Sequence, residues 1–120
     1  MHKRYVNKEI QRIFSDENKV ALWQETELAL IEAMSKLGFC KKDIFLAIRD
    51  RWTENSIDLA WWEARDQEIH HDLNAFLDER LRHLETTMHQ YVHKNITSYD
   101  TEEPAFGRML ADAIEVIKLL

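Results

Sequence analysis

Little in this sequence interrupts a chain. There are two glycines and one proline in 120 residues, and turn-rich sandwiches and barrels need more punctuation than that. The expected fold class is therefore all-α. Cys40 is the single cysteine, which excludes a disulfide framework and a cysteine-based zinc set. No apolar run approaches the roughly 18 residues of a membrane span. The first residues turn polar at once, so no signal peptide is expected either. A basic surplus is also missing: 16 Lys and Arg stand against 22 Asp and Glu, a net charge of −6, which argues against a phosphate-binding nucleic-acid surface. The expectation is one cytoplasmic helical domain over 1–120, with no membrane or nucleic-acid partner and enough residues to bury a core.

What is present is helical periodicity. Tyr5, Val6, Ile10, Ile13 and Phe14 offer anchors by which a basic N-terminal arm docks on the body. Ser15 reads as an N-cap, with Asp16 and Glu17 at the positive end of the helix dipole. From there Val20, Trp23, Leu30, Ile31, Met34 and Leu37 form one apolar stripe, and Gly38 falls where a left-handed residue closes a helix. A shorter helix is expected at about 42–50, then a loop and cap at Thr53-Glu54-Asn55-Ser56. The next helix carries Ile57, Ala60, Trp61 and Ala64 and ends near Gln67. A phase shift across Glu68–His71 predicts a break, with Asp72 as N-cap of a helix reaching about Leu84. Glu85–Asp100 shows no helical period and reads as an ordered loop. The last helix is expected from about Thr101, with Pro104 in its first turn, where no intrahelical N–H is yet needed. Phe106, Leu110, Ala113, Ile117 and Leu120 repeat every three or four residues, a seam for other helices. That seam ends the sequence without a glycine cap or polar tail, which predicts a piece of a longer chain or an end covered by a partner.

Two polar stretches stand out as candidate chemistry. The first, Glu68-Ile69-His70-His71-Asp72, sets adjacent imidazoles beside carboxylates, a pairing that suits proton transfer or anion binding. The second is His93-Lys94-Asn95-Ile96-Thr97-Ser98-Tyr99-Asp100. A helix beginning near Thr97-Ser98 would offer free N–H groups to an anion, although the same pair can simply cap the last helix. His89 and His93 are four apart, but no third ligand and no His-Glu-x-x-His pattern accompanies them.

The chain resembles the N-terminal domain of the adenylosuccinate lyases, within the superfamily of fumarate-releasing lyases. The resemblance covers essentially the whole sequence. It runs through Arg4-Tyr5, Ile10, Ser15-Asp16-Glu17-Asn18-Lys19, Trp23 to Glu27 and Leu37-Gly38. Its sharpest points are His71-Asp72 with Ala75-Phe76, then Val92-His93, Thr97-Ser98 and Asp100. It implies an enzyme that eliminates fumarate from adenylosuccinate and its succinylated carboxamide precursor without a cofactor or metal. Carried over, His71 and Asp72 are the catalytic pair, Asp72 orienting His71. Arg4 and Tyr5 grip the substrate phosphate, His93 faces the nucleotide, and Thr97 and Ser98 donate to a succinyl carboxylate. It also implies that residues up to about 100 form the domain core and 101–120 the start of a long bundle helix. The remainder of the lyase chain and the other subunits of a homotetramer would pack on the 106–120 seam. Asn95 stands where the family has glycine, Lys94 where it has an aromatic or aliphatic residue, and Lys8 where it often has proline. The long central bundle, a second histidine and the mobile serine loop that supplies the base lie outside these residues, so the 120-residue piece alone is expected to be inactive.

Three other readings fit parts of the sequence. One is a fumarate-releasing lyase with a different succinyl substrate. Another is a stand-alone helical interaction module. The third is a metal-binding helical protein using His70, His71, His89 and His93.

Overall fold

A computed structural model describes residues 7–119, and the expectations placed on Arg4, Tyr5, Val6 and Leu120 lie outside them. The elements are α1 (Lys8–Ile13), α2 (Asp16–Lys36), α3 (Lys42–Glu54), α4 (Leu59–Ile69), α5 (Asp72–Leu81), a 3-10 turn at Thr86–Tyr91 and α6 (Ser98–Lys118), with no strand among the described residues. The starts of α1, α2 and α4 each have a side-chain cap. The Asn7 side chain accepts from the N–H groups of Glu9 and Ile10, Ser15 accepts from Asn18, and Asp58 accepts from Trp61. Gly38 closes α2 at φ 83°, a left-handed conformation open to a residue without a Cβ.

The long α2 bridges two apolar clusters. One gathers Ile13, Val20, Trp23, Trp62, Leu73, Phe76, Met109 and Ala113. The other gathers Ile31, Cys40, Phe45, Ile48, Trp52 and Leu84. Trp23 meets Trp62 and Phe76 edge-on, with ring centroids 6.2 and 5.6 Å apart, a preferred aromatic geometry. Ile10 and Ile13 seat α1 on the first cluster, as their spacing predicts.

Several boundaries differ from the sequence reading. Helix α3 runs through Thr53 and Glu54, because Thr53 bonds back to the Arg49 carbonyl and Asn55 caps the end through the Arg51 carbonyl. Helix α4 continues to Ile69 and α5 stops at Leu81. Leu37, expected on the inner stripe, is 72% exposed beyond the helix end. Helix α6 begins three residues earlier than expected, at Ser98, because Asp100 accepts from both the N–H and the hydroxyl of Thr97. Pro104 therefore sits in the second turn, where it denies the Asp100 carbonyl its usual donor. Ala105, Met109 and Ala113 face inward, whereas Phe106, Leu110, Ile114 and Ile117 remain exposed. The seam thus divides: Ala113 joins the core, and Ile114 takes its place on the outer face.

Candidate functional site

The break between α4 and α5 forms as the phase shift predicted, but its cap is different. His70 takes the left-handed conformation at φ 53° and ends α4. His71, not Asp72, is the N-cap of α5: its Nδ1 accepts from the Asn74 N–H at 3.1 Å. A ring nitrogen that accepts carries no proton, so the neutral His71 ring is protonated at Nε2. Asp72 becomes the first helical residue. Its Oδ1 accepts from the Leu73 N–H at 2.8 Å, and its Oδ2 lies 3.9 Å from Lys19 Nζ. No hydrogen bond joins Asp72 to the His71 ring among the described residues. Lys19 lies above the rings of Trp23 and Trp62, 5.2 and 5.4 Å from their centroids, where the negative ring faces hold its cation.

The start of α6 meets this corner. An open depression of about 400 Å³ is lined by Asp66, His70, His71, Asp72, Ser98, Tyr99 and Glu102. His71, Asp72 and Ser98 therefore share one surface. Thr97 does not line it, and its hydroxyl is already given to Asp100. Three carboxylates face two imidazoles in this depression. Burial, and then the charge of Asp72, push the Glu102 carboxyl above its ordinary value, against the opposing pull of His71 and Lys19. An anion bound here would need cations supplied from outside this lining.

His93 sits deeper. Its Nδ1 is 2.6 Å from Oε2 of Glu27, which also accepts from the Thr101 hydroxyl at 2.6 Å. Glu27 and Thr101 are fully buried. His93 and Asn95 both have positive φ, 55° and 62°, so the chain twice adopts a conformation that costs a side-chain-bearing residue energy. Asparagine tolerates this better than most residues, so Asn95 suits the second of the two positions. Sequence reasoning missed Glu27 and Thr101. The available signal was Glu27 lying between Trp23 and Ile31 on the apolar stripe of α2, since a glutamate is rarely buried without partners.

The same signal, also missed, marks a second buried cluster at Glu79 and Arg80 on α5. Arg80 Nε donates to Glu79 Oε2 at 2.6 Å, and its Nη1 donates to Gln24 and to the Trp52 carbonyl. His83 and the Asp58 N–H reach the same glutamate. Elsewhere, His89 Nε2 lies 3.1 Å from the carbonyls of Leu81 and Leu84, so that ring closes the end of α5. Among the described residues, no group of three or more His, Cys, Asp or Glu side chains is arranged to hold a metal ion. No described helix is long and apolar enough to cross a membrane.

The helical arrangement is similar to part of a solved fumarate lyase structure. It matches the crystal structure of a fumarate lyase from Mesorhizobium sp. BNC1 with a TM-score of 0.87 and 18% identity, covering 98% of this chain and 28% of that one. In sequence, the chain is similar to the adenylosuccinate lyases. It is 31% identical over 121 residues to the adenylosuccinate lyase of Staphylococcus saprophyticus and 26% identical over 117 residues to that of Aquifex aeolicus. Both alignments cover 98% of this chain and 26% of the relative, so the chain spans about a quarter of the length of the curated relatives it matches. No protein-family model matches it.

Proposed function

We propose that this chain is the N-terminal substrate-binding portion of an adenylosuccinate lyase, which eliminates fumarate from succinylated purine nucleotides. The observation that carries the reading is the meeting of His71, Asp72 and Ser98 on one depression, in a chain similar to adenylosuccinate lyases along nearly all its length. The reaction removes a proton from carbon, breaks the adjacent carbon–nitrogen bond and protonates the departing nitrogen. His71, neutral and protonated at Nε2, presents a donor to a phosphate or carboxylate oxygen. Ser98, at the first turn of α6, adds a hydroxyl and lies at the positive end of the helix dipole. Thr97 holds that turn in place through Asp100 and belongs to the carboxylate-binding end of the site. His93 faces the nucleotide. Arg4 and Tyr5 supply a fork and a hydroxyl for the phosphate, the positive charge that the acidic depression lacks.

A general base must reach its proton directly or through one water. That base comes from the rest of the lyase, so the 120 residues alone release no fumarate. The residues to about 100 are the domain core, and α6 begins a bundle helix. The exposed Phe106, Leu110, Ile114 and Ile117 give the remainder of the chain and the other subunits of a tetramer an apolar face to cover.

The test is a chimera in which this chain replaces the aligned quarter of the Staphylococcus saprophyticus enzyme. It should convert adenylosuccinate to AMP and fumarate, and His71→Ala should lower kcat by about 10²–10³-fold, the scale of losing one donor to an anionic oxygen. A well-folded chimera without activity, or one indifferent to His71→Ala, refutes the reading.

A further inference from the structure

The geometry points to Glu27 as a positioning residue that fixes the His93 ring with its proton on Nδ1, leaving Nε2 as the nitrogen offered to ligand. The role toward ligand rests on the lyase reading above; the tautomer rests on contacts alone. An ionised carboxylate can only accept, so the 2.6 Å contact between Glu27 Oε2 and His93 Nδ1 requires the proton on that ring nitrogen. The same oxygen takes the Thr101 hydroxyl, while Glu27 Oε1 has no hydrogen-bond partner among the described residues. Both neighbours thus converge on one oxygen of a fully buried side chain.

The backbone supports the same conclusion. His93 is held in a left-handed conformation two residues before another, Asn95. Such conformations persist where the surroundings over-determine them and cluster at functional sites. The contact to Glu27 spans 66 residues of sequence and ties that strained segment to the middle of α2. The His93 side chain keeps 17% of its surface exposed, against 0% for Glu27, so the ring bridges the core and the surface.

The two site histidines are consequently set in opposite ways. His71 accepts at Nδ1 and presents a donor at Nε2. His93 donates at Nδ1 and presents a lone pair at Nε2. His71 then suits the oxygen of a phosphate or carboxylate. His93 suits a ligand hydroxyl or N–H, and if it takes a proton there, Glu27 balances the resulting charge, as a carboxylate does behind an imidazole base.

The experiment is long-range nitrogen–proton NMR of the imidazole rings in the 120-residue chain, at a pH where both are neutral. The expected spectrum shows His71 protonated at Nε2, and His93 with Nδ1–H in roughly tenfold or greater excess, the scale of a hydrogen bond to a charged acceptor. Glu27→Leu should reverse the His93 preference without altering His71, and Thr101→Val should leave both unchanged. Should Glu27→Leu fail to fold, Glu27→Gln decides: a severalfold fall in the Nδ1–H excess supports the inference, and an unchanged ratio overturns it. His93 protonated at Nε2 in the unaltered chain also overturns it, since Glu27 would then hold the proton itself. Neither failure touches the lyase reading, and an inactive chimera leaves the tautomers as they are.

Discussion

Two glutamates lie fully buried in this small helical body, and their surroundings differ in kind. Glu79 is closed in: Arg80 meets both of its oxygens, and His83 and the Asp58 N–H add further bonds. Through Gln24, Trp52 and Asp58 the same cluster joins α2, α3 and the start of α4 to α5. Glu27 has partners on one oxygen only, and one of them is a partly exposed histidine on a strained turn. The comparison teaches that burial of a charge does not by itself mark a site. Both carboxylates reach a partly exposed imidazole, His83 at 24% and His93 at 17%. What separates them is the buried guanidinium of Arg80, which holds Glu79 as part of a helix staple. Among the described residues Glu27 has no Lys or Arg partner, and its ionic contact is the His93 ring alone.

The largest effect is expected at the closed cluster. Arg80→Met leaves Glu79 without its countercharge and should cost about 3–5 kcal/mol in urea unfolding, while replacing both residues with apolar ones should cost far less. Glu27→Leu strands only the Thr101 hydroxyl and the His93 N–H, and should cost about 1–3 kcal/mol. A reversed order would break the comparison.

Acid should separate the clusters further. Burial pushes Glu79 up, but hydrogen bonding to Arg80 and its charge, then His83 and the Asp58 N–H, bring its carboxyl below the ordinary 4.5. A carboxyl lowered by folding adds stability above its unfolded value and loses it as pH falls through the folded one. The unaltered chain should therefore lose stability more steeply below pH 4.5 than the variant with both Glu79 and Arg80 made apolar. Parallel urea midpoints for the two proteins between neutral and acid pH would count against this cluster as the source.

The smallest effect belongs to the open corner. His71→Ala removes the N-cap of α5 and should cost about 0.5–1 kcal/mol, whereas in the chimera the expected outcome is loss of most activity. A stability loss matching that of Arg80→Met would mean that His71 is a structural residue first.

Much of this was legible locally. Ser15, the apolar stripe of α2, Gly38 and the break at Glu68–His71 all follow from residues within a few positions of one another, because caps and periodicity are short-range. Boundaries were misplaced where a side chain did something less common: His71 capping through a ring nitrogen, or Asp100 bonding back to Thr97 and starting α6 early. Of the candidate site, His71, Asp72 and Ser98 were marked and share a surface. Thr97 is adjacent to that surface but turned to Asp100, and His93 is tied to a partner that no local pattern named.

The sequence by itself determined an all-helical chain, most of its helix starts and the two polar stretches that could carry chemistry, since each depends on neighbours along the backbone. Only the tertiary structure decided which polar groups are paired. Glu27 finds His93 66 residues away and Thr101 74 away, and Arg80 finds Gln24 56 away. Nothing in a helix's own period specifies such partners. They follow from how α2 packs against its neighbours, and that packing is what turns a glutamate on an apolar stripe into the residue that sets a histidine.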